Sequence, residues 1–408
     1  MAAVGDSFTA GIGSGNVHSS RKEDTVCSRY DYSYPSIMNQ FFSSSVSNFT
    51  YLACSGDTLV DIAAQIARLS KGLDLAVMTA GGNYLCLTTI IKTCILNSVT
   101  SESSCQKAIK IAQTAIDGIL EDNIVSLLNS LDDKMDDRGI IVLSSFPPYF
   151  DNMTSDCTNN EDWVFPGQAG STSLLLSTSH RTYFHTLVAN TNAKLKSAVD
   201  KVARTASSTV VFADWSAWGE AAGGRFCEKG SSPDPSSSTN DYAMFYKLPT
   251  YKVFNPGTVY RRDLNLGSDP MLGISSNTTS VQEGLEAEEA NWDQIRESIS
   301  NPLSKRDAPT TGVCGTNSGG GWLPDQIGKI FHPTNFGHEA IASYVTFAIG
   351  NAVAKKEQTT TPACNLVETS LAIRVRAQNH TPAPTSCAHT RRSSAKLSYQ
   401  PGKTRTTT

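Results

Sequence analysis

Short apolar runs alternate with long helical stretches along this chain, and that alternation constrains its fold more than any other feature. Leu75–Thr79, Gly139–Ser144 and Thr209–Asp214 are short, apolar and β-branched or leucine-rich, as strands buried on both faces are. Between them, Cys105–Leu131 and Thr182–Ala203 read as helices. In the first, Ile109, Ala112, Ile116, Ile119, Leu120, Ile124, Leu127, Leu128 and Leu131 recur close to a 3.6-residue period. Strand and helix in alternation imply an α/β fold, with a parallel sheet covered on both faces. Ligands of such sheets bind beyond the carboxyl ends of the strands. The residues that follow the apolar runs are therefore where chemistry is expected.

Four segments carry that chemistry. Ala2-Ala3-Val4 runs into Gly5-Asp6-Ser7-Phe8-Thr9-Ala10-Gly11, a tight strand-to-helix turn in which a serine hydroxyl can stand clear of the backbone. Tyr51-Leu52-Ala53-Cys54-Ser55-Gly56-Asp57-Thr58 ends an apolar stretch in a glycine turn. Leu75-Ala76-Val77-Met78-Thr79 runs into Ala80-Gly81-Gly82-Asn83, and far downstream stands Phe331-His332-Pro333-Thr334-Asn335-Phe336-Gly337-His338. In these blocks the chain resembles the SGNH (GDSL-type) hydrolases, whose Ser, Gly, Asn and His occur in this order. The likeness covers about residues 2 to 354 and is strongest to secreted fungal and actinobacterial esterases. It implies a three-layer α/β/α sandwich with a central, mainly parallel, flavodoxin-like sheet.

A serine hydroxyl is a poor nucleophile until a base takes its proton, and imidazole is the natural base near neutral pH. The resemblance makes Ser7 the nucleophile and His332 the base. Acyl transfer also needs donors aimed at the developing oxyanion. The resemblance assigns these to the backbone amides of Ser7 and Gly56 and the side-chain amide of Asn83. A bare glycine at 56 leaves room for substrate, and a neutral carboxamide at 83 donates without titrating. His332 is preferred to His338 because the following proline biases it toward an extended conformation. His338 opens the last apolar periodic stretch and reads as a cap or a packed histidine. His18, His180, His185, His380 and His389 have no motif context and read as surface or helix residues.

Many relatives place an aspartate three residues before the histidine, and here that position is Lys329. A lysine side chain cannot accept the imidazole Nδ1–H. The resemblance offers a main-chain carbonyl instead, giving a Ser7–His332 dyad oriented by the carbonyl of Lys329. Asp325 is the competing orienter.

The expected function is a serine esterase that hydrolyses carboxylic esters through an acyl-enzyme on Ser7. A lipase, a phospholipase or an acyl-glycan deacetylase would use the same machinery. From a different class comes a non-catalytic glycan- or surface-binding protein on a degenerate scaffold. Substrate is a small-molecule, lipid or glycan ester, and a monomer is expected. A net charge of -4 and a pI near 6.0 give no reason to expect nucleic acid. No apolar run is long enough for a transmembrane segment. No metal-ligand spacing or phosphate-cradling glycine loop occurs, so no cofactor and no metal are expected.

The ten cysteines are spread singly, without a Cys-x-x-Cys pair, which suggests disulfides in an oxidising compartment. Sequons at Asn48, Asn152, Asn277 and Asn379 fit secretion. The resemblance implies Cys27–Cys54 and Cys227–Cys314, and leaves the pairing of Cys86, Cys94, Cys105 and Cys157 open. A signal peptide and the start of the first strand are expected to be missing ahead of Met1. The hydrolase domain is expected over 1–354. Within it, 215–322 is a Ser-, Pro-, Asn- and Gly-rich loop insertion over the active-site face. Residues 355–408, rich in Thr, Ser, Pro and Arg, form a disordered tail.

Overall fold

The structure is a computed structural model that describes residues 1–85, 87–96, 102–155, 157–158, 176–230, 243–246 and 328–358. The greater part of the expected 215–322 insertion lies outside them, as do Asp325, Cys314 and the tail beyond 358.

Five parallel strands form one sheet in the order β2-β1-β3-β4-β5. They are β1 (Ala2–Gly5), β2 (Thr50–Tyr51), β3 (Leu73–Thr79), β4 (Met135–Ser144) and β5 (Thr209–Ala213). The two-one-three-four-five order is flavodoxin-like. β1 is short, yet it is buried throughout and flanked on both sides, Ala3 facing Tyr51 on one edge and Val77 on the other. Two-sided pairing supports the turn that follows it despite its four-residue length.

The helices are α1 (Ser7–Ala10), α2 (Lys22–Val26), α3 (Tyr34–Phe42), α4 (Leu59–Ala67), α5 (Leu87–Ile91), α6 (Glu102–Ala115), α7 (Glu121–Asp132), α8 (Thr178–Val202), α9 (Trp218–Ala222) and α10 (Asn335–Lys356). α4, α7 and α8 pack together on one face of the sheet, and α3 and α10 on the other. The expected Cys105–Leu131 helix is α6 and α7 joined by a π-helical stretch over Ile116–Leu120. Ile116, Leu120, Ile124, Leu127, Leu128 and Leu131 are all buried, as their period requires.

Three disulfides join the described residues: Cys27–Cys54, Cys94–Cys105 and Cys157–Cys227. The expected Cys227–Cys314 pair is corrected. The amide of Phe226 donates to the carbonyl of Tyr149 (2.7 Å) and that of Asp151 to the carbonyl of Phe226 (2.7 Å). This backbone pairing brings the segment ahead of Cys157 alongside Cys227. The Cys27–Cys54 bridge closes a separation of 27 residues. Replacing both cysteines by alanine should lower the free energy of unfolding by about 3–4 kcal/mol, by the loop-entropy relation. Denaturant titration of the double variant checks this.

Candidate active site

β1 and β3 are neighbours in the sheet, but the chain leaves β1 toward β2 on one side and reaches β3 on the other. Such a reversal of strand order opens a crevice at the strands' carboxyl ends. Ser7 follows β1 and Asn83 follows β3, so both stand at that crevice.

The turn carrying Ser7 is held by its neighbours. Gly5 has φ +136, and a β-carbon there would run into the Thr79 carbonyl, so only glycine fits. Gln65 of α4 grips it from both sides: the Gly5 amide donates to Oε1 (2.8 Å) and Nε2 donates to the Gly5 carbonyl (3.0 Å). Nε2 also donates to Asp57 Oδ2 at 2.7 Å, tying the Ser7 turn to the Gly56 turn. Asp6 caps α1, with Oδ1 accepting from the Phe8 amide (3.1 Å) and from the Thr79 hydroxyl (2.8 Å). Burial pushes the Asp6 carboxyl up to about 6, against these hydrogen bonds. Asp57 is likewise raised to about 6, chiefly by burial.

His332 comes from the other end of the chain. Its Nε2 lies 2.7 Å from Ser7 Oγ. Phe331 ahead of it is buried and left-handed, φ 67, an unfavourable conformation for a bulky residue. Two pairings hold it there: the Phe331 amide donates to the Tyr246 carbonyl (3.0 Å), and the Tyr246 amide donates to the His332 carbonyl (2.9 Å). The Phe331 ring packs among Tyr149, Phe150 and Phe226.

The carbonyl of Ile330 lies 3.3 Å from His332 Nδ1. The expected partner, the carbonyl of Lys329, accepts the backbone N–H of His332 at 2.8 Å and also acts on the imidazole, after Ile330 and Gly328. The Lys329 ammonium sits 4.6 Å from the centroid of the Tyr246 ring. An Nδ1–H directed at Ile330 leaves the Nε2 lone pair facing the serine hydroxyl. Burial pulls the His332 imidazole down to about 4, with the carbonyls of Ile330, Gly328 and Lys329 acting the other way.

The expected oxyanion donors stand on turns joined through Asp57, which Gln65 and Asn83 both contact. Among the described residues nothing accepts a hydrogen bond from the amides of Ser7 or Gly56. Gly56 has φ 91, a conformation open to glycine. The Asn83 Nδ2 donates to the Asp57 carbonyl at 3.1 Å, which fixes the carboxamide beside the Gly56 turn and leaves its second N–H unspent.

His338 is fully buried in α10, where Nδ1 accepts the Tyr34 amide at 3.2 Å. His180, read as a surface or helix residue, is buried on α8 and bonded to Glu102 at 2.7 Å. Gln65 escaped the sequence reading. Its signal was a polar residue on the buried face of α4, in register with Leu59, Ile62 and Ile66. Among the described residues no group of three or more His, Cys, Asp or Glu gathers to hold a metal ion. No described helix is long and apolar enough to cross a membrane.

No known family profile matches the chain. It is 30% identical over 149 residues to Lipase 1 of Streptomyces coelicolor and, at the same identity and length, to a lipase of Streptomyces rimosus. Each match covers 36% of this chain and 52% of the relative, so the chain spans about half the length of the curated relatives it matches. Among solved structures, the extracellular lipase of Streptomyces rimosus aligns with a TM-score of 0.45 at 22% identity, covering 59% of this chain and 91% of that one. Phospholipase A1 of Streptomyces albidoflavus aligns with a TM-score of 0.45 at 20% identity, over 56% and 84%.

Proposed function

We propose that this chain, an SGNH (GDSL-type) hydrolase by its four motif blocks and parallel sheet, is a secreted carboxylic ester hydrolase working through an acyl-enzyme on Ser7. The 2.7 Å approach of His332 Nε2 to Ser7 Oγ carries the proposal. Ser7 Oγ attacks the ester carbonyl as Nε2 takes its proton. The carbonyl π pair moves onto oxygen, where the amides of Ser7 and Gly56 and the Asn83 carboxamide receive it. Collapse expels the alcohol, which leaves with the proton from Nε2. Water then attacks the acyl carbonyl as Nε2 takes its proton; the bond from the acyl carbon to Oγ breaks, the acid leaves, and Nε2 returns the proton to Ser7 Oγ. The Ile330 carbonyl holds the ring in the required tautomer throughout.

Lipase or phospholipase action is the finer reading, favoured by the relatives, which are lipases. Secretion is supported by the disulfides and by the sequons. The hydrolase domain is taken as 1–354, with the 215–322 insertion over its active-site face and the tail beyond.

Covalent labelling with a fluorophosphonate tests the mechanism. A single adduct is expected, on Ser7, at a rate set by neutral His332. Burial lowers the His332 imidazole, so the rate should hold as pH falls through the ordinary histidine range and drop only once the ring is protonated below it. An adduct on another serine, or labelling as fast in His332→Ala as in the parent, counts against the dyad.

A further inference from the structure

Ser7 and His332 stand 325 residues apart in the chain, so their 2.7 Å contact depends on what ties their two loops together. The 3.3 Å from Nδ1 to the Ile330 carbonyl exceeds the usual ~3.0 Å of such a bond, and no carboxylate stands three residues ahead of the ring. The imidazole is therefore placed mainly by the backbone that carries it. That backbone is clasped by residues 243–246. The Thr334 amide donates to the Met244 carbonyl at 2.8 Å, and its hydroxyl to the Ala243 carbonyl at 2.7 Å. Tyr246 brackets His332, its carbonyl accepting from the Phe331 amide and its amide donating to the His332 carbonyl.

The clasp reaches the nucleophile through the Tyr246 side chain. Its phenol donates to the Gly13 carbonyl at 2.7 Å and lies 3.3 Å from Ser14 Oγ. Gly13 and Ser14 form the turn that follows α1, the helix Ser7 opens. Ser14, fully buried, donates in turn to the carbonyl of Pro333, the residue after His332, at 3.0 Å. Lys329 completes the join. Gly13 has φ +82, and a β-carbon there would fall 2.6 Å from Lys329 Cδ and 2.7 Å from its Cβ. The aliphatic stem of the lysine thus lies against a glycine that leaves it room. Its ammonium rests over the Tyr246 ring, 4.6 Å from the centroid.

We propose that Tyr246 is a positioning residue for the dyad: its phenol, seated on the Gly13–Ser14 turn and backed by the Lys329 stem, sets the distance from His332 Nε2 to Ser7 Oγ. The proposal rests on the hydrolase reading above. Where a third carboxylate would orient the ring directly, this chain steadies the loop that bears it. Tyr246 touches no reacting atom and acts through the imidazole. Misplacing a catalytic group by an ångström costs about a hundredfold, so a clamp of this kind has a large effect on rate and a small one on ground-state binding.

The test is Tyr246→Phe, which removes one oxygen and keeps the ring. On p-nitrophenyl butyrate it is expected to lower kcat about 10- to 100-fold with KM within about twofold. In the His332→Ala background the same change should cost less than about twofold, because nothing is left for Tyr246 to position. Loss of folded protein would take the same factor in both backgrounds. Equal factors therefore overturn the proposal, as does a kcat within about twofold of the parent. Lys329→Ala should lose about tenfold, and Lys329→Met, which keeps the stem, should recover most of that loss. Equal losses in the two overturn the part given to the stem. A second measurement needs no reaction: the nitrogen NMR signals of the His332 ring in protein carrying isotope-labelled histidine, assigned by their absence in His332→Ala. They should move in Tyr246→Phe, and signals that stay in place overturn the clamp. A parent that neither cleaves the ester nor takes a fluorophosphonate on Ser7, while those signals still move, overturns the hydrolase reading and leaves the clamp standing.

Discussion

Ser7→Ala and His332→Ala are each expected to lower kcat on a p-nitrophenyl ester by about 10⁴- to 10⁶-fold, with the double variant losing little more. The near-equality follows from the geometry. With Nε2 2.7 Å from Oγ, the serine reacts only as the ring takes its proton, so removing either group removes one event. Residual activity would come from the oxyanion donors and substrate positioning, which both substitutions leave in place. KM should change little, because neither group is needed to bind the ground state. The same pair separates a catalyst from a binding scaffold. A scaffold would show substrate binding in the parent, no turnover, and no response to either substitution. Retention of activity within tenfold in Ser7→Ala would sink the assignment outright. Thermal melting of the variants guards against a trivial loss, since Ser7 ends no packing chain and His332 is held by its backbone.

Most of the sheet was legible because periodicity and composition agreed. The expected Leu75–Thr79 and Thr209–Asp214 strands fall within a residue or two of β3 and β5. β4 begins four residues earlier than expected, at Met135, because the charged run Asp136-Asp137-Arg138 hides its exposed start. Burial falls only on its second half, and only that half carries an apolar signal. The four blocks were legible as chemistry because each residue type has one plausible task there. What could not be read was long-range placement. Nothing in the sequence says that Phe331 adopts a left-handed conformation, or that the Ile330 carbonyl comes within 3.3 Å of Nδ1. The partner of Cys227 depended on the backbone pairing of Phe226 with Tyr149, which has no local signal. The double grip of Gln65 on Gly5 is of the same kind, a contact across 60 residues set by the packing of α4 on β1.

Asn83→Ala should cost about 10²- to 10³-fold in kcat with KM changed by no more than a few-fold. The asymmetry between the two constants is the informative part. A donor aimed at the oxyanion meets full charge only as the tetrahedral intermediate forms, so its loss falls on the transition state and spares ground-state binding. In the proposed role Asn83 would be preorganised. One of its two N–H groups is committed to the Asp57 carbonyl at 3.1 Å, which fixes the plane of the carboxamide before substrate arrives. Gln65 holds the Asp57 side chain at 2.7 Å and the backbone of Gly5 as well, so the three donors stand on turns tied to one another. Asn83→Asp should be at least as damaging as alanine. A carboxylate offers no N–H, faces the Asp57 carbonyl as one acceptor to another, and repels the developing oxyanion. Acidification distinguishes the two variants: protonating the new carboxylate should restore part of the loss in Asn83→Asp and none in Asn83→Ala. A raised KM with unchanged kcat in both would instead make Asn83 a substrate-binding group, leaving the amides of Ser7 and Gly56 to carry the oxyanion alone.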